Sequence, residues 1–144
     1  KEPINMQINP TYNFAPIDIY KFFSKKIIDL IKAGVKKSNI VVDPGIGFGK
    51  TLSDNLNILK YLPLFHSLGV PILIGASRKS LIAELTNNDY KLREKNKKDI
   101  SPSKRLSGSL AFAIHANMCG VQILRTHDVF ETNQALICQK SLDL

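Results

Sequence analysis

Three apolar runs constrain this chain more than any other feature: Ile40-Val41-Val42, Val70-Pro71-Ile72-Leu73-Ile74 and Val121-Gln122-Ile123-Leu124. None shows the regular apolar–polar alternation of a strand with one wet face. Such runs are expected where a sheet is covered on both sides, as parallel sheets are. Residues 3–8 offer a fourth strand, closed by Asn9-Pro10 as a turn. A helical pattern follows each run. The order βα, βα, βα, βα, in units of roughly 30 to 50 residues, predicts a parallel α/β sheet with crossover helices. Four such units fit a small open sheet or half of an eight-fold barrel.

The helices are read from spacing and stop signals. Between residues 18 and 33 the residues Ile19, Phe22, Phe23, Ile27, Leu30 and Ile31 recur at helical intervals, with Asp18 in the first turn and Gly34 as the stop. A second helix is expected from Ser53 or Asp54, with Leu56, Leu59, Leu62 and Phe65 on one face and Gly69 closing it. Ser77-Arg78-Lys79-Ser80 is expected to open a third, running to about Leu85. Residues 86–103 read as a polar surface excursion. A small-residue helix then runs from Leu106 to Gly120, and a last amphipathic one covers 129–142.

At 144 residues the chain fits one domain, 1–144. No apolar run approaches the ~18 residues of a membrane span. The first residues carry neither a methionine nor a signal-peptide pattern, which fits a piece of a longer polypeptide. The formal charge of +8 invites a nucleic-acid reading. Much of the excess, however, lies in Lys32-Lys36-Lys37 and in residues 91–98, without interleaved aromatics, so solvated surface and no nucleic acid is the expectation. A basic balance also suits a phosphate-bearing small molecule. Cys119 and Cys138 have no metal-like spacing and are expected to be buried thiols in a reducing compartment.

The stretch Asp43-Pro44-Gly45-Ile46-Gly47-Phe48-Gly49-Lys50 delivers a carboxylate at a strand end and follows it with three glycines in five residues. It is not a P-loop, because Pro44 stands where that motif needs its first glycine. It is not a dinucleotide fingerprint either, because Lys50 replaces the third glycine. A plain connecting turn is the remaining alternative. What favours a site is convergence. Met6, Gln7 and Asn9 end the first run, Asp43 the second, Gly75 and Ser77-Arg78-Lys79-Ser80 the third, and Arg125 with His127 the fourth. In parallel α/β folds these strand ends share one rim, where ligands bind.

The residue types suggest roles. Arg125 and His127, two apart in extended chain, fall on one side and can cradle phosphate oxygens; the alternative pairs Arg125 with Asp128. Lys79 at a helix start opposes the macrodipole unless a ring carbonyl or anion uses it. Ser77 and Ser80 could receive a carboxylate there. Asp43 can accept hydrogen bonds from an amine-rich heterocycle. His66 and His115, within helices, read as partly buried or surface histidines.

Asp43 through Lys50, Ser77-Arg78-Lys79-Ser80, Arg105-Leu106-Ser107-Gly108-Ser109 and Arg125-Thr126-His127-Asp128-Val129 together resemble the dihydropteroate synthase family. Asn5-Met6-Gln7 with Asn9-Pro10 extends the match in the same order. The resemblance implies a (β/α)8 TIM barrel that joins 6-hydroxymethyl-dihydropterin pyrophosphate to p-aminobenzoate, releases pyrophosphate and uses Mg²⁺. It implies catalytic roles for Lys79, Arg125 and His127. Asp43 and Lys79 would bind the pterin, against which Met6 would pack, and Arg125 and His127 the pyrophosphate. Ser80 would take the aminobenzoate carboxylate, with Phe48 and Arg78 beside it, and Gly75 completes the substrate-binding set. It further implies a cytoplasmic enzyme, often homodimeric and a sulfonamide target.

A full barrel takes typically ~250 residues. The resemblance therefore implies the C-terminal half alone, with no metal ligand of its own, needing an N-terminal half-barrel to cover its open edges and complete its site. Two rivals differ in class: a non-catalytic pterin-binding half-barrel, and a methyltetrahydrofolate-type methyltransferase. Against the latter stands the Arg-x-His pair, since a methyl donor carries no pyrophosphate.

Overall fold

The computed structural model describes residues 11–88 and 100–142. Its first helix, α1 (Ala15–Lys32), opens with Pro16, whose missing N–H costs nothing in a first turn. Asp18 secures that turn by accepting from the backbone N–H groups of Asn13 and Phe14, at 2.9 and 3.3 Å. Gly34, at φ +92°, ends it as expected. The apolar face is wider than the part that is covered: Ile19 and Ile27 are buried, whereas Phe22, Ile28, Leu30 and Ile31 are exposed.

Helix α2 (Leu52–Lys60) begins before the expected Ser53 or Asp54, because Thr51 and Asp54 form a capping box. It also stops short of Gly69. Pro63 cannot donate to a helix interior, so the chain continues as a 3₁₀ segment, Leu62–Leu68, closed by Gly69 at φ +67°. The periodic positions still point inward, and Leu62 and Phe65 are fully buried.

The strands are parallel, as expected, but far shorter than the apolar runs. Strand β1 (Leu73–Ile74) pairs with β2 (Ile123–Leu124) in the register Leu73↔Ile123 and Ile74↔Leu124, and Val42 bridges Ile72 on the other side. Two causes trim them. Pro71 offers only its carbonyl, taken by Val42 N–H at 3.0 Å. Val121 N–H is spent on Ala116 O at the end of the preceding helix. The strand expected at 3–8 lies outside the described residues. Among the described residues three parallel segments and five α-helices are present, and the first of the four expected units begins outside them.

Helix α3 (Ser80–Asn88) starts three residues later than expected and overruns the predicted excursion. The far end of that excursion is also structured, as a 3₁₀ turn Pro102–Arg105 leading into α4 (Leu106–Met118), with the Arg105 side chain buried. Helix α5 (Val129–Lys140) ends the described chain. The core gathers Ile46, Ile58, Leu62, Phe65, Ile72 and Leu81 beneath the short sheet.

Helices α3 and α4 meet where Gly108 leaves room for Ile82. A Cβ on Gly108 would lie 2.4 Å from Ile82 Cγ2. Alanine gains about 0.8–1.0 kcal/mol of helix propensity, but overpacking costs about 1–3 kcal/mol. Gly108→Ala is therefore expected to lower stability by up to about 2 kcal/mol, measurable as a lower urea midpoint. A raised midpoint would show that Ile82 moves freely.

The thiol expectation fails for Cys138, which is exposed; Cys119 is half-buried, and burial raises its pKa. His66 and His115 each spend Nε2 on a backbone carbonyl, Cys119 O at 2.7 Å and Leu59 O at 2.9 Å, consistent with packing roles. Lys32, Lys36 and Lys37 are exposed, as solvated surface should be. No helix among the described residues is long and apolar enough to cross a membrane.

Candidate active site

The glycine-rich stretch folds as a cradle at the end of the Val42 segment. Gly45, Gly47 and Gly49 all take positive φ, +70°, +80° and +58°, which glycine alone adopts without strain. The cradle is fastened at three points. Asp43 Oδ1 accepts from Gly45 N–H at 2.8 Å. Lys50 Nζ donates to the carbonyls of Gly45 and Phe48, both at 2.9 Å. Gly47 N–H donates to Asn55 Oδ1 at 2.8 Å, while Asn55 Nδ2 donates to Thr51 O at 2.8 Å. Lys50 is thus a strut of the loop, and burial lowers its pKa despite Asp43 and Asp54 nearby.

An open cleft of about 620 Å³ lies against this cradle, lined by Asp43, Phe48, Gly75, Ser77, Lys79, Arg125, Thr126 and His127, with Gly45 at its edge. Three of the four strand ends expected to converge thus do so, and the first lies outside the described residues. Arg125 crosses the floor and donates to Asp43 Oδ2 at 3.1 Å, a contact 82 positions apart in sequence. Gly75 makes that crossing possible: a Cβ there would sit 2.8 Å from Arg125 Nη2 and 2.9 Å from Nε. Both partners keep solvent access, so the pair contributes little stability. It holds two opposite charges ready in one cleft.

Lys79 stands on the other wall, with Nζ 3.6 Å from the centroid of the Phe48 ring, a cation–π contact. Burial lowers its pKa, the Arg125 charge lowers it further, and Asp43 opposes both. A Cβ on Gly47 would come within 3.0 Å of the Lys79 stem. His127 closes the cleft, its Nδ1 3.0 Å from Ser77 Oγ.

Two expected site residues, Arg78 and Ser80, lie elsewhere. Arg78 turns away from the cleft and makes a bidentate pair with Asp128, through Nε to Oδ2 at 3.1 Å and Nη2 to Oδ1. This hydrogen bonding is the chief reason that the Arg78 pKa is raised and that of Asp128 lowered. The pairing of Arg125 with Asp128 considered from sequence is thus replaced by Arg78–Asp128 and Arg125–Asp43. Ser80 is exposed at the start of α3 and outside the cleft lining. Met6 is outside the described residues. Ser77, one of two serines weighed from sequence, is the one that lines the cleft.

The Arg78 turn is held from beneath. Arg78 has φ +57°, the one positive value among described non-glycine residues. Its N–H donates to Ser109 Oγ at 2.9 Å, and its carbonyl accepts from Arg105 Nη1 at 2.9 Å. The turn sends Arg78 to Asp128 while Lys79 reaches the cleft. Asn55 was not singled out from sequence, while Ser109 and Asp128 entered only within motifs and, for Asp128, as a local partner for Arg125. The one signal was Asn55's place on the buried face of a helix, where a polar side chain needs partners.

The sequence agrees with this geometry when set beside known proteins. A profile described as pterin binding enzyme matches residues 1–127. The chain belongs to the pterin-binding enzyme family. Its relatives there are dihydropteroate synthases. It is 41% identical to that of Escherichia coli (strain K12) over 134 residues, 93% of this chain and 43% of the relative. The Yersinia pestis dihydropteroate synthase, solved as a sulfonamide drug complex, superposes with TM-score 0.84 at 37% identity, over 96% of this chain and 46% of that one. The Xanthomonas albilineans enzyme, solved with 7,8-dihydropteroate, gives TM-score 0.81 at 35% identity, over 93% and 47%. The chain thus spans about half the length of the relatives it matches.

Proposed function

We propose that this chain supplies the C-terminal half of a dihydropteroate synthase barrel. The carrying observation is that Asp43, Lys79, Arg125 and His127, from three separate chain segments, line one cleft. In the proposed reaction the aryl amine of p-aminobenzoate attacks the methylene carbon of the dihydropterin pyrophosphate. The C–O bond breaks, pyrophosphate leaves with the electron pair, and the amine gives up a proton. Negative charge grows on the leaving group, where fixed donors act most strongly. Arg125 and His127 are those donors. Asp43 presents an acceptor for the pterin's amine and ring N–H, releasing Arg125 to the pyrophosphate, and Lys79 lies over the ring. Phe48 forms the apolar wall toward p-aminobenzoate. Arg78, turned to Asp128, and Ser80, exposed at the start of α3, would meet the aminobenzoate only from outside the cleft lining.

Mg²⁺ belongs to the family's chemistry, where it would neutralise pyrophosphate charge. Among the described residues no three His, Cys, Asp or Glu side chains gather in one place, and an Mg²⁺ held by one or two carboxylates and substrate phosphates would find only Asp43 in the cleft lining. The cleft's carboxylate, Asp43, is already held by Arg125 and Gly45 N–H. These residues do not make a metal seat by themselves.

An N-terminal half-barrel would complete the architecture. The Val42 segment is paired only toward Ile72 among the described residues, and part of the apolar face of α1, including Phe22 and Ile31, is uncovered there. Such an enzyme, acting on dissolved small molecules, is assigned to the cytoplasm, and the family's habit points to a homodimer. The test is pyrophosphate release from both substrates with Mg²⁺. It is run on this chain alone and on the chain mixed with the N-terminal half of the Escherichia coli relative. Activity confined to the mixture is expected. Silence in both, from folded protein, would overturn the enzymatic reading.

A further inference from the structure

Ser77 carries an inference that rests on reading His127 as a pyrophosphate-binding group. Its hydroxyl is buried at 7% exposure and touches His127 twice: Oγ is 3.2 Å from the backbone N–H of His127 and 3.0 Å from Nδ1. The backbone group can only donate, so Oγ accepts from it. The hydroxyl hydrogen remains, and among the described residues Nδ1 is the one further polar atom that Oγ meets. No buried side-chain polar atom among these residues lacks a partner. We propose that Ser77 is a positioning residue that fixes the neutral imidazole of His127 with its hydrogen on Nε2.

The consequence is chemical. A neutral imidazole has one donor and one acceptor nitrogen. With Nδ1 occupied by the Ser77 hydroxyl, the acceptor is turned inward. Nε2, on the far side of the ring, makes no hydrogen bond among the described residues and is left as a donor. His127 lines the cleft beside Arg125 and Thr126. A donor there welcomes phosphate oxygens even when the ring is uncharged, whereas the other tautomer would meet them lone pair to lone pair. The same contact ties the end of β1 to the end of β2, so the ring is held in place as well as in hydrogen pattern.

The test is ¹⁵N NMR of the three histidines in the full chain, at about pH 8 where imidazoles are ordinarily neutral, with a parallel titration by inorganic pyrophosphate. The wild type is expected to show the shifts of a single Nε2–H tautomer at His127. In Ser77→Ala those shifts should move toward a mixture, and pyrophosphate should bind about five- to tenfold more weakly, the scale of one hydrogen bond. Ser77→Thr, which keeps the hydroxyl, should restore both. Unchanged His127 shifts in Ser77→Ala, or an Nδ1–H tautomer in the wild type, would overturn the proposal. A wild type with the expected tautomer and no pyrophosphate binding would leave the Ser77–His127 pairing standing and overturn the anion reading instead.

Discussion

In an assembled barrel, Arg125→Ala is expected to lower turnover by about 100-fold or more, with the fold intact. One well-placed donor to a developing anion is worth about 10²–10³ in rate. The Arg125 side chain is 59% exposed, so its truncation should change stability by no more than about 0.5 kcal/mol. Gly75→Ala separates position from charge. Its backbone is not among the positive-φ glycines, so alanine fits the chain, yet the new Cβ would stand 2.8 Å from the guanidinium. Arg125 must leave the floor of the cleft while keeping its charge. The expected result is about a tenfold loss in turnover, the cost of misplacing one hydrogen bond, with stability unchanged or slightly raised. Steady-state assays and a thermal melt on both variants check this. Normal turnover in Arg125→Ala would remove it from the mechanism, and normal turnover in Gly75→Ala alone would show that Arg125 acts equally well from elsewhere.

The sequence made the helices legible where spacing and stop signals agreed. Helix α1 ends before Gly34 and α4 before Gly120 because each glycine takes positive φ just past the last turn. It misled where one residue overrode a pattern. The Leu59, Leu62 and Phe65 stripe runs through Pro63, which turns α-helix into 3₁₀ while leaving the buried face in place. Ser77 through Ser80 reads as a helix start, but the left-handed backbone of Arg78 delays α3 to Ser80.

The cleft residues were legible as a class because topology gathers strand ends on one rim. Their pairings were not. Asp128 lies three positions from Arg125 and was the obvious local partner, yet Arg78 claims it from 50 positions away and frees Arg125 for Asp43. Contacts of that range depend on how segments cross, which periodicity does not encode. The same limit hid Asn55, whose value lies in reaching Gly47 across the loop.

The largest stability effect is expected at Arg105, which never touches the cleft. Its guanidinium is buried at 6% exposure and donates to Ile100 O at 2.7 Å and Arg78 O at 2.9 Å. Ser109 joins the same clamp, donating to Arg105 O at 2.7 Å while accepting from Arg78 N–H. A left-handed non-glycine residue costs about 1–2 kcal/mol. Hydrogen bonds to a charged donor contribute about 1.5–3 kcal/mol each, so the clamp can outweigh the strain it imposes. Arg105→Ala should destabilise by about 2–4 kcal/mol, lowering the melting midpoint by about 10 °C for a chain of this size. Arg105→Met keeps most of the stem's packing and should recover only part of the loss. Pairing Arg105→Ala with Arg78→Gly sharpens the assignment, because glycine holds φ +57° without strain. If the clamp exists to hold that turn, the double variant should be less destabilised than the sum of the two single changes. Strict additivity would mean that Arg105 stabilises the segment at Ile100, just before the 3₁₀ turn, and leaves the Arg78 turn, and with it the placement of Lys79, to Ser109 and Asp128.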